Sequence, residues 1–256
     1  MSPPRGVSIV GLDGIPEVHP GDDLGAFIAE AADRSGTGLL DGDIVVVTHK
    51  VVSKAEGRLV DLSTIEPSPL AIHFAASAAK DPRQVEIALR EARRIVRMSR
   101  GILITETKHG FVCANTGVDA SNVPGEGIVC LLPEDPDGSA AVLRDRLRDL
   151  RGADVAVIIT DSFGRPWRNG IVNVAVGVAG MDPFADYRGQ SDPHGYPLVA
   201  SRMAIADELS SAAELVMGKL DARPVALVRG YAAQPPVAGA ERGGDLVMDA
   251  ERDLFR

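Results

Sequence analysis

The sequence predicts a domain of the α+β class, with mixed sheets and helices. Three observations carry that prediction. Apolar spacing switches several times along the chain between periods of 2 and 3.6, the periods of strand and helix. Short β-branched runs alternate with longer amphipathic ones. With 256 residues, 45% hydrophobic and 25% charged, the chain can bury a substantial core, which removes the collagen-like, disordered and disulfide-framework classes.

The first helix follows His19-Pro20-Gly21-Asp22-Asp23. It places Leu24, Phe27, Ile28 and Ala31 on one face, with two acids in the first turn where the helix dipole favours them. The turn Asp41-Gly42-Asp43 launches Ile44-Val45-Val46-Val47, a buried strand because no polar residue interrupts it. Residues 62–80 carry a weak signal. Asp81-Pro82-Arg83-Gln84 then reads as a capping box with proline at the first helical position, opening a helix that turns Val85, Leu89, Ala92 and Val96 inward. Apolar runs at 102–105, 111–114 and 128–132, separated by glycine-containing turns, predict neighbouring strands.

Residues 139–151 predict a helix with Leu143, Leu147 and Leu150 on one face. It feeds the strand Val155-Ala156-Val157-Ile158-Ile159, which turns polar at Thr160-Asp161-Ser162. A last helix turns Ile205, Leu209, Ala212 and Val216 inward, stops at Gly218 and precedes a strand over 224–228. Residues 163–198, rich in glycine, proline and asparagine, predict a long connection that is functional or disordered. Past Tyr231 the composition turns to Pro, Gly and Ala, so the expected division is a domain over 1–231 and a tail over 232–256.

With 27 Lys and Arg against 36 Asp and Glu, the net charge of −9 argues against a nucleic-acid partner and leaves room for a local basic pocket that takes a small phosphate. Cys113 and Cys130 lack metal-ligand spacing and are too few for a disulfide framework, which points to a reducing, cytoplasmic setting. No stretch of about 18 apolar residues and no secretory pattern at the N-terminus occurs, so no membrane partner is expected. Neither HExxH nor Gly-x-Ser-x-Gly is present, which argues against a zinc site and against nucleophilic catalysis. Cys113, Cys130, Met203 and Met217 read as core residues.

Three segments could carry chemistry. Asp161 ends a buried strand, at the sheet edge where α/β proteins bind ligands; an Asx turn or helix cap suits Asp-Ser equally well. Arg165, Arg168 and Asn169 follow it closely, either as phosphate-binding groups beside a metal carboxylate or as an ion-pair cluster. Asp119, in Asn115-Thr116-Gly117-Val118-Asp119-Ala120-Ser121-Asn122-Val123, is a second candidate ligand for a hard cation, or a polar turn. Thr48-His49-Lys50-Val51-Val52-Ser53-Lys54-Ala55-Glu56-Gly57-Arg58 follows the first buried strand with lysines that neutralise phosphates or are simply solvated. Neither GxxxxGK[ST] nor GxGxxG is present, so a nucleotide here needs other architecture.

Together these segments resemble the coenzyme F420-0:gamma-glutamyl ligase family, GTP-dependent enzymes that add glutamate to a deazaflavin precursor. The resemblance runs in order from about residue 8 to 231, through Gly14-Ile15-Pro16-Glu17, Gly21-Asp22-Asp23, Asp41-Gly42-Asp43 and Lys54-Ala55-Glu56-Gly57-Arg58. It continues through Gly117 to Val123, Leu132-Pro133-Glu134-Asp135-Pro136, Thr160-Asp161-Ser162, Trp167-Arg168-Asn169-Gly170, Asp207-Glu208-Leu209 and Val216-Met217-Gly218-Lys219.

The resemblance implies the family's own α+β fold, neither P-loop nor Rossmann, and a homodimer. It also implies GTP as substrate, Mg²⁺ or Mn²⁺ with help from K⁺, and coenzyme F420-0 and L-glutamate as partners. By that resemblance Asp119, Asp161 and Ser162 match metal positions, while Ile15, Pro16, Glu17, Val18, Thr48, His49, Lys54, Asn122, Gly218 and Lys219 match the nucleotide side. His49 stands where many relatives carry a small polar residue, and Ser162 where threonine is common.

The implied chemistry phosphorylates the precursor carboxylate and then lets the glutamate amine attack. Asp161, Lys54 and Arg168 are the expected catalytic groups, with Arg165 an alternative to Arg168. Some relatives fuse this domain to a flavin-binding half, so a stand-alone enzyme and one half of a fusion are both open at this point. Two rival functions suit the same residues: another metal-dependent nucleotidyl or phosphoryl transferase, and a non-catalytic deazaflavin-binding module.

Overall fold

The computed structural model describes residues 6–236, 242–249 and 251–253. In chain order these form β1 (Ser8–Gly11), α1 (Leu24–Arg34), β2 (Ile44–Thr48), α2 (His49–Ala55), β3 (Leu59–Asp61), α3 (Pro69–Ala78), α4 (Pro82–Glu91), β4 (Ala92–Ser99) and β5 (Ile102–Thr107). There follow β6 (Val112–Ala114), β7 (Ile128–Cys130), α5 (Pro136–Arg151), β8 (Ala156–Arg165), β9 (Arg168–Ala179), β10 (Ala185–Asp186), β11 (Arg202–Met203), α6 (Ile205–Met217) and β12 (Val225–Arg229). The class is α+β, as expected.

The main sheet has the order β1-β12-β2-β8-β9 and is antiparallel except for the pair β2–β8. Alternate side chains of its central strands point to opposite faces. Val45, Val47, Val157 and Ile159 pack with Ile28 and Ala31 of α1 and with Leu143 and Leu147 of α5. Ile44, Val46, Ala156 and Ile158 pack with Leu209, Ala213 and Met217 of α6. Cover on both faces is why β2 reads as an unbroken apolar run.

Local signals end the covering helices where the packing needs them to end. Asp23 caps α1 by accepting the Ala26 N–H at 3.0 Å, and Asp22 accepts the His19 N–H at 2.7 Å, so the two acids precede the first turn rather than lie in it. Asp135 caps α5, Pro136 opens it, and Gly152 closes it with φ 70°.

Residues 59–131 form a second packed unit around Leu62, Phe74, Val85, Ile87, Leu103 and Val129. Several sequence expectations fail here. The weak segment 62–80 contains α3, capped by Ser68 with Pro69 first. Asp81 caps α4 through the Arg83 N–H at 2.8 Å, with no reciprocal bond from Gln84 among the described residues. The helix expected to reach Val96 stops at Glu91, and Ala92 is already extended at φ −80°, ψ 135°. Pairing with β5 overrides the helical spacing: Arg94 Nε lies 2.6 Å from Glu106 Oε2 across the strand pair, and Val96 is exposed. The run 128–132 does not join β5 and β6 but pairs with β3.

The connection 163–198 is, in its first half, a hairpin. β8 continues to Arg165, and β9 carries Val172, Val174, Val176 and Val178 at period 2, a pattern masked by the surrounding glycine and asparagine. Met217 is fully buried as expected, whereas Met203 is exposed. On the last helix Ala206 and Ala213 are fully buried, whereas Ala212 is only partly so.

Of the tail, residues 237–241, 250 and 254–256 lie outside the described residues, as do residues 1–5 of the N-terminus. The described part returns to the domain. Gly243 N–H donates to Asp137 Oδ1 at 2.8 Å, Leu246 packs on the α6 side of the sheet and Val247 on the α1 side. Among the described residues no helix is long and apolar enough to cross a membrane.

The buried Glu86 joins α3 to α4. It accepts the Ser68 N–H at 2.9 Å and the Arg90 Nε–H at 2.8 Å, and the bonds from Ser68, then Arg90, hold its carboxyl below the usual range despite burial. A depressed carboxyl contributes stability above its unfolded pKa of about 4.5 and loses it as pH falls through the folded value. Glu86→Gln is expected to cost roughly 1–3 kcal/mol at pH 7 in urea unfolding. It should also flatten the acid-side loss of stability below pH 4.5; an acid limb as steep as that of the parent chain would contradict this role.

Candidate active site

The parallel strands β2 and β8 run in register to Thr48 and Thr160, where the apolar sequence of both ends. Beyond them opens a cleft of about 560 Å³. Its walls are the loop at Ile15 to Val18, the β2–α2 junction, Thr160 to Ser162, Asn122 to Pro124, and the chain from Gly218 to Pro224. Every residue expected on the nucleotide side lines it: Ile15, Pro16, Glu17, Val18, Thr48, His49, Lys54, Asn122, Gly218 and Lys219. So do Asp161 and Ser162. Gly218 ends α6 at φ +63°, ψ 162°, a backbone conformation that strains any residue with a Cβ, which favours glycine at this wall.

Asp119 stands behind the lining, joined to it by Lys50. Lys50 Nζ donates to Asp119 Oδ2 at 2.6 Å, to Ser121 Oγ at 2.7 Å and to Ser121 O at 2.9 Å. Asp119 Oδ1 accepts the Ser121 N–H at 2.7 Å. Burial would raise the Asp119 carboxyl, but Lys50 and the Ser121 N–H outweigh it and the net direction is down.

At Asp161 burial again pushes up, and His49, the Ser162 N–H and Lys50 bring the carboxyl down overall. Asp161 Oδ1 accepts the Ser162 N–H at 2.7 Å and lies 3.4 Å from His49 Nε2. His49 is itself buried, with Nδ1 3.4 Å from Ser53 Oγ. Lys54, 5% exposed, places Nζ 2.5 Å from Glu17 Oε1.

Two carboxylates and a hydroxyl are hard oxygen donors, the kind that suits Mg²⁺ or Mn²⁺. Among the described residues no three His, Cys, Asp or Glu side chains gather to hold a metal unaided, so a cation here needs further oxygens from phosphate or water. Asp161 and Ser162 present such donors at the cleft wall, whereas Asp119 lies behind it with its carboxylate bonded to Lys50 and Ser121. The buried thiols do not enter it: burial pushes Cys113 up to about 12 and Cys130 to about 11, which leaves neither a nucleophile at neutral pH.

Arg165 and Arg168 do not line the cleft. β8 stays extended past Asp161, and four residues of strand span about 13 Å, which carries Arg165 and its register partner Arg168 to the exposed hairpin tip. Sequence proximity to Asp161 was therefore misleading. Conversely, the sequence reading raised Lys50 only as one of the lysines after the first buried strand and did not single out Asn173 or Glu214; all three line the cleft. Lys50 was findable, since in a helix it shares a face with Lys54 at i,i+4. Asn173 and Glu214 arrive from β9 and α6, and only the fold brings them together.

Residues 14–230 match the family model described as F420-0:Gamma-glutamyl ligase. A protein of Methanothermobacter thermautotrophicus named Coenzyme F420:L-glutamate ligase is 47% identical over 255 residues, covering 98% of this chain and 99% of that protein. Proteins of the same name from Methanopyrus kandleri and Methanocaldococcus jannaschii are 49% and 43% identical, covering 94% and 98% of this chain and the same shares of their own lengths. The chain belongs to the F420-0:gamma-glutamyl ligase family.

Proposed function

We propose that this chain is a GTP-dependent ligase that joins L-glutamate to coenzyme F420-0, releasing GDP and phosphate. One observation carries the reading. Asp161, Ser162, the Lys50–Asp119 pair and the Lys54–Glu17 pair converge at one sheet edge, in a chain whose relatives are named Coenzyme F420:L-glutamate ligase. A cytoplasmic homodimer, without nucleic-acid or membrane partners, belongs to the same reading.

A carboxylate and an amine do not condense unaided in water. In the proposed reaction the precursor's carboxylate oxygen attacks the γ-phosphorus of GTP, the bond to the bridging oxygen breaks, and GDP leaves. The glutamate amine then attacks the acyl carbon, phosphate departs with the C–O electron pair, and the nitrogen gives its proton to solvent. Mg²⁺ or Mn²⁺, aided by K⁺, supplies charge neutralisation on the phosphates when bound. Asp119, Asp161 and Ser162 would hold the divalent ion. Lys54 offers a cation to the phosphates, and Glu17 holds that cation at the wall. Lys50 fixes the Asp119 carboxylate. Arg165 and Arg168 have no part in this cleft as the chain forms it.

Incubation with the deazaflavin precursor, L-glutamate, GTP and Mg²⁺ or Mn²⁺, read by mass spectrometry, is expected to give a product heavier by one or more glutamyl units, formed only with GTP and metal. GTP consumption without glutamate addition would replace the reading with a phosphoryl or nucleotidyl transferase; precursor binding with no turnover would replace it with a deazaflavin-binding module. Asp161→Asn is expected to lower kcat roughly 10²-fold or more with the melting temperature held. Unchanged turnover and metal dependence would remove Asp161 from the metal site.

A further inference from the structure

Ser162 and Asn173 are directly opposed residues of the β8–β9 pair, and Ser162 Oγ lies 2.7 Å from Asn173 Oδ1. Asn173 is 3% exposed, and its Nδ2 donates to Glu214 Oε2 at 2.9 Å. Glu214 belongs to α6, and its backbone oxygen accepts the Gly218 N–H at 3.0 Å, where the opposite wall of the cleft begins. A third bond, Ser211 Oγ to Asn173 O at 2.7 Å, ties the strand to the same helix. All three side chains of this relay, Ser162, Asn173 and Glu214, line the cleft.

The direction of each bond follows from donor chemistry. A carboxylate only accepts, so Glu214 takes the NH₂ end of the Asn173 amide and leaves the carbonyl end facing Ser162. A carbonyl only accepts, so the Ser162 hydroxyl must spend its single proton on Asn173. Its lone pairs are then directed away from Asn173. A hydroxyl free to rotate would instead present its proton to a cation part of the time, which repels it.

We propose that Asn173 and Glu214 are positioning residues: Glu214 sets the Asn173 amide, and the amide sets the Ser162 hydroxyl, so that Ser162 offers lone pairs to a divalent cation in the cleft. The proposal rests on the metal reading of Asp161 and Ser162 given above. Outer groups that orient ligands in this way are worth a measurable share of metal affinity. The rival reading is that Asn173 merely fastens α6 to β9, and it predicts a loss of stability without a selective effect on the metal.

The test is Mn²⁺ binding, followed by the electron paramagnetic resonance signal of free Mn²⁺ with the full chain and a non-hydrolysable GTP analogue, the analogue alone serving as blank. Glu214→Leu and Asn173→Leu are expected to weaken Mn²⁺ binding roughly 10- to 100-fold, and Glu214→Gln, which keeps an acceptor, to stay within about threefold of the parent chain. Ser162→Ala should cause a comparable loss, and adding Glu214→Leu to it should cost nothing more, because the relay acts only through Ser162. If a leucine variant does not fold, Asn173→Ala, which removes the acceptor of the Ser162 proton without adding a charge, takes its place in the cycle.

Unchanged Mn²⁺ affinity in the folded variants, or losses that add in the double variant, would overturn the relay while leaving the metal site standing. No Mn²⁺ binding by the parent chain above the blank would overturn both.

Discussion

Five residue pairs, from Ile44 and Ala156 to Thr48 and Thr160, run side by side in the one parallel contact of the main sheet. Helices cover this ribbon on both faces, so its side chains are apolar until the cover ends. Each Val or Ile buried there contributes about 1.5–3 kcal/mol relative to exposure, and that burial locks the register of the two strands. Because they are parallel and in register, both turn polar at the same level. The start of α2 and the group Thr160-Asp161-Ser162 therefore stand next to each other without any contact of their own having to bring them there.

The electrostatics of the cleft follow from that placement. Lys50 and Lys54 are largely buried, and a buried ammonium without a counter-charge is costly. Asp119 and Glu17 supply the counter-charges from two separate loops, so the lysines fasten those loops to the sheet edge. In a chain of net charge −9 two lysines thereby stand at one recess, each held by a carboxylate, and the proposed reaction draws on Lys54 for its phosphates. The same recess receives the α6 wall through Asn173 and Glu214, which makes the main sheet, its outer hairpin and its covering helix parts of one site.

What the sequence made legible divides along physical lines. β2, the apolar half of β8, α1, α5 and α6 were readable because burial writes periodicity into consecutive residues. Asp161 was readable as an edge carboxylate for the same reason. β4 was not, since Ala92 to Ser99 become a strand only by pairing with β5 and exchanging Arg94–Glu106 contacts. α2 is seven residues long, too short to show a period. The hairpin hid behind its glycines and asparagine, and Arg165 and Arg168 were credited to the cleft because distance along the chain was taken for distance in space. The Asn173–Glu214 contact spans 41 positions and leaves no local trace.

The most direct test of the account is a crystal structure of the chain with Mn²⁺ and a non-hydrolysable GTP analogue, the metal located by its anomalous signal. The account predicts the Mn²⁺ peak against Asp161 and Ser162 and the analogue's phosphates within reach of Lys54, in the cleft between Ile15 to Val18 and Gly218 to Lys219. A nucleotide bound elsewhere, or a metal peak away from Asp161, would contradict it.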